Sequence, residues 1–150
     1  MVRADLVGGE RWRSTGGASE SAPLDDPMAT RIARATPPDA VVARLDDEAH
    51  CVALAVRDDV DAMLRAEMIV RAFGEPLLTM AGSWSICVNV GVAFRPPGAS
   101  RSTVGLLREA RTALVQARRL GPGCALLFDP SVPHVPTSSS CHRHRPGRPA

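Results

Sequence analysis

The stretch "VVARLDDEAHCVALAV", residues 41 to 56, places two apolar runs on either side of three consecutive acidic residues. Short apolar runs that flank a tight polar turn predict a β-hairpin, and its tip would be formed by Asp46, Asp47 and Glu48. A cluster of carboxylates at a turn has two interpretations. It is a solvated turn, which is the common case, or it belongs to a metal or phosphate site built on the hairpin.

Two long helices are predicted downstream of this hairpin. Residues 57–73 carry apolar side chains at spacings of three and four, and aspartates such as Asp58 at the start are expected to cap the helix. A second helix is expected to begin at the N-cap Ser102 and to end at Gly121. The predicted inner faces are Val60, Met63, Ala66, Val70 and Phe73 in the first helix, and Val104, Leu107, Ala110, Leu114 and Ala117 in the second.

Strand patterns complete the order of elements. A second hairpin is expected over residues 76–94 with its turn at 81–83, and a short strand over 124–128. A shorter helix over 28–35, stopped by the prolines that follow it, precedes the first hairpin. The order helix, hairpin, helix, hairpin, helix, strand predicts an α+β fold with helices packed on a mostly antiparallel sheet.

One domain is expected over residues 28–131. Residues 1–27 and 132–150 are rich in Gly, Ser, Pro and Arg and show no hydrophobic periodicity, which predicts a flexible leader and a disordered tail. In the tail, Cys141 lies close to His142 and His144. These residue types bind zinc, but a solvated tail is the simpler interpretation.

The overall composition argues against several classes of protein. A net charge of +2 offers no concentrated basic surface, which argues against specific nucleic-acid binding. No apolar stretch reaches the roughly 20 residues of a membrane span, and the N-terminus does not resemble a signal peptide. The four cysteines lie far apart without metal-binding spacing, so free thiols are expected. These features predict a cytoplasmic protein without a membrane partner.

Four short strings occur in the order typical of one family. The strings "VVARLDDEAHCVAL", "SICVNVGVAF", "LLREARTALVQARRLG" and "LLFDP" together resemble the GGDEF domain, the diguanylate cyclase module, over residues 28–131. The resemblance implies a nucleotide-cyclase-like, ferredoxin-like antiparallel sheet with packed helices. It also implies a link to cyclic di-GMP signalling, in which the family uses metal-bound carboxylates to activate a ribose hydroxyl of one GTP for attack on another.

The signature string of the family, D-x-x-x-R-x-G-G-D-E-F, is degenerate in this chain. In one register, Asp46 and Asp47 replace the two glycines, Glu48 replaces the Asp, Ala49 the Glu and His50 the Phe. A shift by one residue sets Asp47 and Glu48 on the Asp-Glu pair instead. Carboxylates in place of glycines bring negative charge towards a triphosphate, which is repulsive unless a metal intervenes. Glu48 is the remaining candidate metal ligand.

Further departures fall in the third string. The family's Asp, Tyr, Lys and Arg are replaced by Arg111, Val115, Arg118 and Pro122, respectively. Because a guanidinium suits phosphate, the resemblance implies phosphate binding by Arg44 and Arg118. Asn89 stands where the family usually has Ser.

The family's first strand, which carries a metal-binding Asp, has no counterpart in residues 1–27 by this comparison. We therefore expect a truncated, degenerate GGDEF domain that lacks its first strand and is not an enzyme. Its expected role is that of a regulatory or interaction remnant with a protein partner or a second copy of itself. The alternatives are a sensor that binds GTP or cyclic di-GMP, and an active diguanylate cyclase that uses Asp47 and Glu48. No cofactor is expected unless GTP binding or turnover survives, in which case it is Mg²⁺.

Overall fold

A five-stranded sheet forms the centre of the fold in the computed structural model, which describes residues 2–7, 27–45, 49–79, 82–100 and 102–132. The strands are β1 (Val2–Val7), β2 (Val41–Arg44), β3 (Ala49–Ala53), β4 (Leu77–Thr79), β5 (Gly82–Trp84), β6 (Cys87–Val92) and β7 (Ala125–Leu127), and the helices are α1 (Pro27–Arg34), α2 (Asp59–Ala72) and α3 (Thr103–Leu120). The order in the main sheet is β2-β3-β1-β6-β7, with β4 and β5 forming a separate pair. Only the β6–β7 pairing is parallel among the described strands, which confirms the predicted α+β class.

Strand β1 lies in the middle of the sheet, between β3 and β6. Val2 pairs with Val52 on one side and with Val92 on the other. The prediction that the domain lacks its first strand is therefore wrong, as is the prediction of a flexible leader where it includes residues 2–7. Val2, Ala4 and Leu6 alternate with Arg3 and Asp5, which is a strand pattern, but it was missed because the Gly- and Ser-rich residues that follow predicted a flexible leader. The two neighbouring strands supply the backbone hydrogen bonds of β1.

Predictions for the remaining terminal residues lie outside the described part of the chain. These residues are 8–26, expected to belong to the leader, and 133–150, which include the Cys-His tail segment. The domain boundaries proposed at residues 28 and 131 stay predictions.

One face of the sheet is covered by α1 and α2. Val88, Val90 and Val92 alternate along β6 and are all buried against this side, as expected for a strand with period two. Helix α2 packs here through a buried face that includes Ala62 and Ala66, together with Ile69 and Phe73. Most of the predicted inner face is confirmed, since Ala66 and Phe73 are buried and Met63 and Val70 pack against the core, whereas Val60 is 74% exposed and Ala62 is buried instead.

The other face is covered by α3, which lies directly against Gly91. A Cβ built on Gly91 would overlap the carbonyl oxygen of Ala110 and the backbone nitrogen of Leu114. The predicted inner residues Ala110, Leu114 and Ala117 are buried, whereas Val104 is 66% exposed and Leu106 is buried in its stead. The predicted N-cap is confirmed, since the backbone N–H of Gly105 donates to Ser102 Oγ at 3.1 Å.

The second predicted hairpin divides into two parts. Thr79 pairs with Gly82, so β4 and β5 form a short hairpin of their own. The chain leaves strand geometry at Ser85 and Ile86 and then enters the main sheet as β6. One long strand was expected where the structure has two strands in different sheets.

Helix α1 is joined to the end of α2 by Arg31. The guanidinium donates to the carbonyl oxygens of Ala72 at 3.3 Å and Pro76 at 2.9 Å, and also to that of Glu75. It also lies 5.8 Å from the centre of the Phe73 ring. Carbonyl groups at a helix C-terminus lack helical partners, so a buried or half-buried cation there stabilises the end of the helix.

None of the helices among the described residues is long and apolar enough to cross a membrane.

Candidate functional site

The first hairpin lies at one end of the sheet, where several strand ends meet. Because β1 is antiparallel to β3 and β6, its last residue Val7 pairs with Cys87 at the start of β6, and Ala49 opens β3 at the same end. The backbone N–H of Leu45 donates to the carbonyl oxygen of Ala49 at 2.8 Å, which closes the hairpin. We call this end of the sheet, marked by Val7, Leu45, Ala49 and Cys87, the tip end.

The predicted signature residues divide into two groups. Asp46, Asp47 and Glu48 lie outside the described residues, so their role as a turn or as metal ligands stays a prediction. Ala49 and His50 are buried at the start of β3, with 1% and 3% of their surfaces exposed. A methyl side chain at Ala49 cannot ligate a metal.

Strand β1 brings an unanticipated acidic residue to this end. Asp5 lies at the register position opposite Ala49 on β3 and opposite Asn89 on β6. Sequence reasoning missed Asp5 because the strand itself was missed. The signal was present in the sequence, because Asp5 is the only acidic residue in the short segment 2–7, whose other residues are apolar or basic.

Helix α3 runs towards the tip end. Leu106 and Ala110 pack with Ala93, beyond the end of β6, and Leu114 lies over Gly91 within the strand. The later turns of α3 therefore approach the start of β6. Arg118 is exposed in the last turn of α3, and Arg44 is exposed at the end of β2, so the topology brings both predicted phosphate-binding residues to the tip end.

A glycine-containing turn follows α3. Gly121 has a φ of 129° and Gly123 a φ of 76°, which are conformations that side chains other than glycine rarely adopt. Open space surrounds both residues at the place where a Cβ would be. Beside this turn, a cavity of about 360 Å³ is lined by Glu67, Val70, Arg71, Gly123 and Ala125.

Asn89 connects this turn to the centre of the sheet. Its side chain is fully buried, and its Oδ1 accepts the backbone N–H of Cys124 at 2.9 Å. Its Nδ2 is buried and has no hydrogen-bond partner among the described residues. Sequence reasoning treated Asn89 only as a departure from a family string. The missed signal was a lone amide in the middle of an apolar strand.

A buried acidic group with a lowered pKa lies at the other end of the sheet. Asp61 in the first turn of α2 is 6% exposed and faces Arg57 and Arg65, each with its Nε 3.4 Å from a carboxylate oxygen. The backbone N–H of Arg57 lowers the pKa of Asp61 most, and the Arg57 and Arg65 guanidinium groups lower it further against the opposing effect of burial. This cluster stabilises the start of α2 and is remote from the tip end.

The described residues contain no group of three or more His, Cys, Asp and Glu side chains that could bind a metal ion.

Comparison with known proteins defines the class of fold. No family model matches the chain, and no curated protein sequence matches it. Solved structures do match, and they include GGDEF domains, one of them the domain of a diguanylate cyclase, so the chain has the GGDEF-domain fold.

Three of these structures illustrate the similarity. An EAL/GGDEF domain protein from M. capsulatus is 24% identical, with a TM-score of 0.73 over 86% of this chain and 83% of its own. The active GGEEF domain of a diguanylate cyclase from Vibrio cholerae is 18% identical, with a TM-score of 0.69 over 87% and 82%. The GGDEF domain of DgcB from Caulobacter crescentus in complex with c-di-GMP is 21% identical, with a TM-score of 0.68 over 85% and 75%.

These matches overturn the prediction that the chain is not an enzyme. The same fold is active in the Vibrio cholerae domain. That prediction also rested on the loss of the first strand with its acidic residue, whereas β1 occupies the centre of the sheet and carries Asp5.

Proposed function

We propose that this chain binds a guanine nucleotide, GTP or cyclic di-GMP, at the tip end and acts in cyclic di-GMP signalling. One observation carries the proposal: the strand register and the direction of α3 bring Asp5, Arg44, Arg118 and the turn at 121–123 to the same end of the sheet. An acidic position, two guanidinium groups and an open glycine turn are the groups that a nucleotide with a bound cation requires. The complex of DgcB with c-di-GMP, which has the same fold, supports this choice of ligand.

Arg44 and Arg118 would bind the phosphates. A guanidinium donates two parallel hydrogen bonds to a phosphate and keeps its charge at all relevant pH values. The open space around Gly121 and Gly123 would let a phosphate approach the backbone closely.

A divalent cation is the cofactor that this proposal requires, because carboxylates next to phosphates repel without one. Asp5 and Glu48 are the residues that would hold it, since Asp5 is paired with Ala49 and Glu48 immediately precedes Ala49 in the chain. Bound Mg²⁺ would neutralise phosphate charge there. Asn89 is paired with Asp5, and its side-chain Nδ2 is a buried donor. Such a donor would suit an anionic ligand near this position, or a ligand that is itself bound to the cation.

A second candidate is diguanylate cyclase activity, which the position of Asp5 in β1 favours. The reaction joins two GTP molecules, so two nucleotide-loaded copies of the chain would have to meet. Binding without turnover would instead favour a sensor of GTP or cyclic di-GMP.

Isothermal titration calorimetry with GTP in Mg²⁺ buffer tests the proposal, with cyclic di-GMP titrated separately and product formation followed by chromatography. We expect binding that weakens about tenfold in Arg118→Gln, which corresponds to one lost hydrogen bond to a charged group. Arg108→Gln is the matched control, because Arg108 is exposed on the same helix two to three turns before Arg118. A folded protein that produces no heat with either ligand would refute the proposed function.

A further inference from the structure

Asn89 is a polar residue in the middle of a buried apolar strand. It lies in β6 between Val88 and Val90, and its side chain is as completely buried as theirs. Its Nδ2 has no hydrogen-bond partner among the residues that the structure describes. Such a donor loses its hydration without compensation, which destabilises the fold. An aliphatic side chain of similar size would fill the same space without this loss, so the fold alone does not account for an amide at this position.

The oxygen of the same amide holds the start of the last strand. Asn89 Oδ1 accepts the backbone N–H of Cys124 at 2.9 Å, and the carbonyl oxygen of Cys124 accepts the N–H of Val90, also at 2.9 Å. Both backbone groups of Cys124 are therefore bonded to neighbouring residues of β6. The bond from Val90 belongs to the parallel pairing of β6 with β7, whereas the bond to Asn89 is the contribution of one side chain.

The turn before Cys124 depends on how its ends are held. Gly121, Pro122 and Gly123 connect the last residue of α3 to Cys124. Two of the three are glycines with positive φ, and glycine has a wider choice of backbone conformations than other residues. Fixing both ends of a short segment reduces the number of conformations that it can adopt. Helix α3 holds the first end, and the bond between Asn89 and Cys124 holds the second.

We propose that Asn89 is a positioning residue of the nucleotide site: through Cys124, its buried amide holds the turn 121–123 in the conformation that a phosphate meets. This inference rests on the proposed function, in which the open backbone at Gly121 and Gly123 contacts the phosphates. A segment that is ordered before its ligand arrives loses little conformational entropy on binding, so the amide should raise the nucleotide affinity.

Isothermal titration calorimetry with GTP in Mg²⁺ buffer compares the full wild-type chain with Asn89→Ala and Asn89→Leu. Both variants remove the acceptor, but leucine fills the space of the amide and carries no unsatisfied donor, so Asn89→Leu should be the more stable of the two in urea. We expect GTP to bind about three- to tenfold more weakly to both, because a single neutral hydrogen bond changes an equilibrium by about this factor. If Asn89→Ala does not fold, as judged by circular dichroism, Asn89→Leu decides alone.

Val88→Ala is the matched control. Val88 precedes Asn89 in β6 and is buried on the opposite face of the sheet, against the core formed with α1 and α2. Its truncation leaves a cavity and should lower the stability in urea. The GTP affinity should stay within about twofold of the wild type, because the turn keeps both of its anchors.

Amide hydrogen exchange locates the change within β7. In Asn89→Leu, the Cys124 N–H should exchange at least about threefold faster than in the wild type, because its acceptor is gone. The Phe128 N–H donates to the carbonyl oxygen of Val92 at 2.7 Å, beyond the other end of β7, and should exchange at the wild-type rate. Equal acceleration at both amides would show that the whole strand loosens, which would refute a positioning role.

The calorimetry separates failure of this inference from failure of the proposed function. GTP binding that is unchanged in Asn89→Leu, or that weakens as much in Val88→Ala, would overturn the inference and leave the proposed function standing. Absence of GTP binding to the folded wild type would overturn the binding of GTP and this inference together.

Discussion

Replacing Gly91 by Ala should destabilise the protein, because α3 lies directly on this glycine. An added Cβ would overlap Ala110 O and Leu114 N and would lie 2.7 Å from Leu114 Cβ. Carbon atoms pack at about 3.5–4.0 Å, so α3 would have to withdraw by roughly 1 Å. The overlapping atoms belong mainly to the helix backbone, which cannot rotate away as a side chain can.

The magnitude follows from this geometry. Overpacking of a core costs about 1–3 kcal/mol, and a backbone obstruction places Gly91→Ala at the upper end. Alanine has less conformational entropy than glycine in the unfolded chain, which offsets about 0.4–1 kcal/mol of this loss. We therefore expect the free energy of unfolding to fall by about 2 kcal/mol or more.

Urea unfolding followed by far-ultraviolet circular dichroism measures this change. Gly105→Ala is the matched control, since Gly105 lies in the first turn of α3 and its added Cβ would meet only Ser102 Oγ at 3.4 Å. Alanine is the better helix former, so this variant should gain about 0.5–1 kcal/mol. A Gly91→Ala protein within about 1 kcal/mol of the wild type, the low end of the overpacking range, would refute the packing argument.

Three further changes test the described contacts. Ser102→Ala removes the N-cap of α3 and should cost about 1 kcal/mol in urea unfolding, with no loss in Ser102→Asp, which can also cap. Arg31→Ala should destabilise the protein more than Arg31→Lys in the same assay, since lysine retains the charge near the end of α2 but not the fork that reaches several carbonyls; equal losses would contradict this account. Asp61 has a lowered pKa, so its charged form stabilises the fold at pH values above 3.8 and this contribution is lost as the pH falls below that value. Urea unfolding from pH 7 to pH 3 should therefore show a shallower decline in Asp61→Asn than in the wild type.

The sequence predicted the elements better than the faces they bury. The first hairpin, both long helices, the cap at Ser102 and the last strand are confirmed because turn and cap residues act locally. The first residue of the predicted inner face of α2 is wrong, because apolar spacing cannot distinguish Val60 from Ala62 as the residue that faces the sheet. Close approach of a helix to a sheet favours small residues, and this preference appears only when both surfaces are known.

The candidate site was harder to predict for a related reason. Arg44 and Arg118 could be named because the family strings contain them, and the topology brings both to the tip end. Asp5 and Asn89 were missed because their importance lies in pairing between strands that are 84 residues apart in sequence. No local pattern contains such a pairing.

The central position of β1 changes how the degenerate signature string should be judged. Ala49 removes one carboxylate from the start of β3, and the prediction of an inactive domain combined this loss with the absence of the first strand. The register places an aspartate directly beside that alanine, on a strand that the sheet cannot lose without leaving β3 and β6 unpaired. A cation site depends on which acidic residues meet in space, and the register of β1 adds Asp5 to the acids that the hairpin sequence offers. The chemistry of this chain therefore has to be tested with Asp5 and Glu48 as a pair.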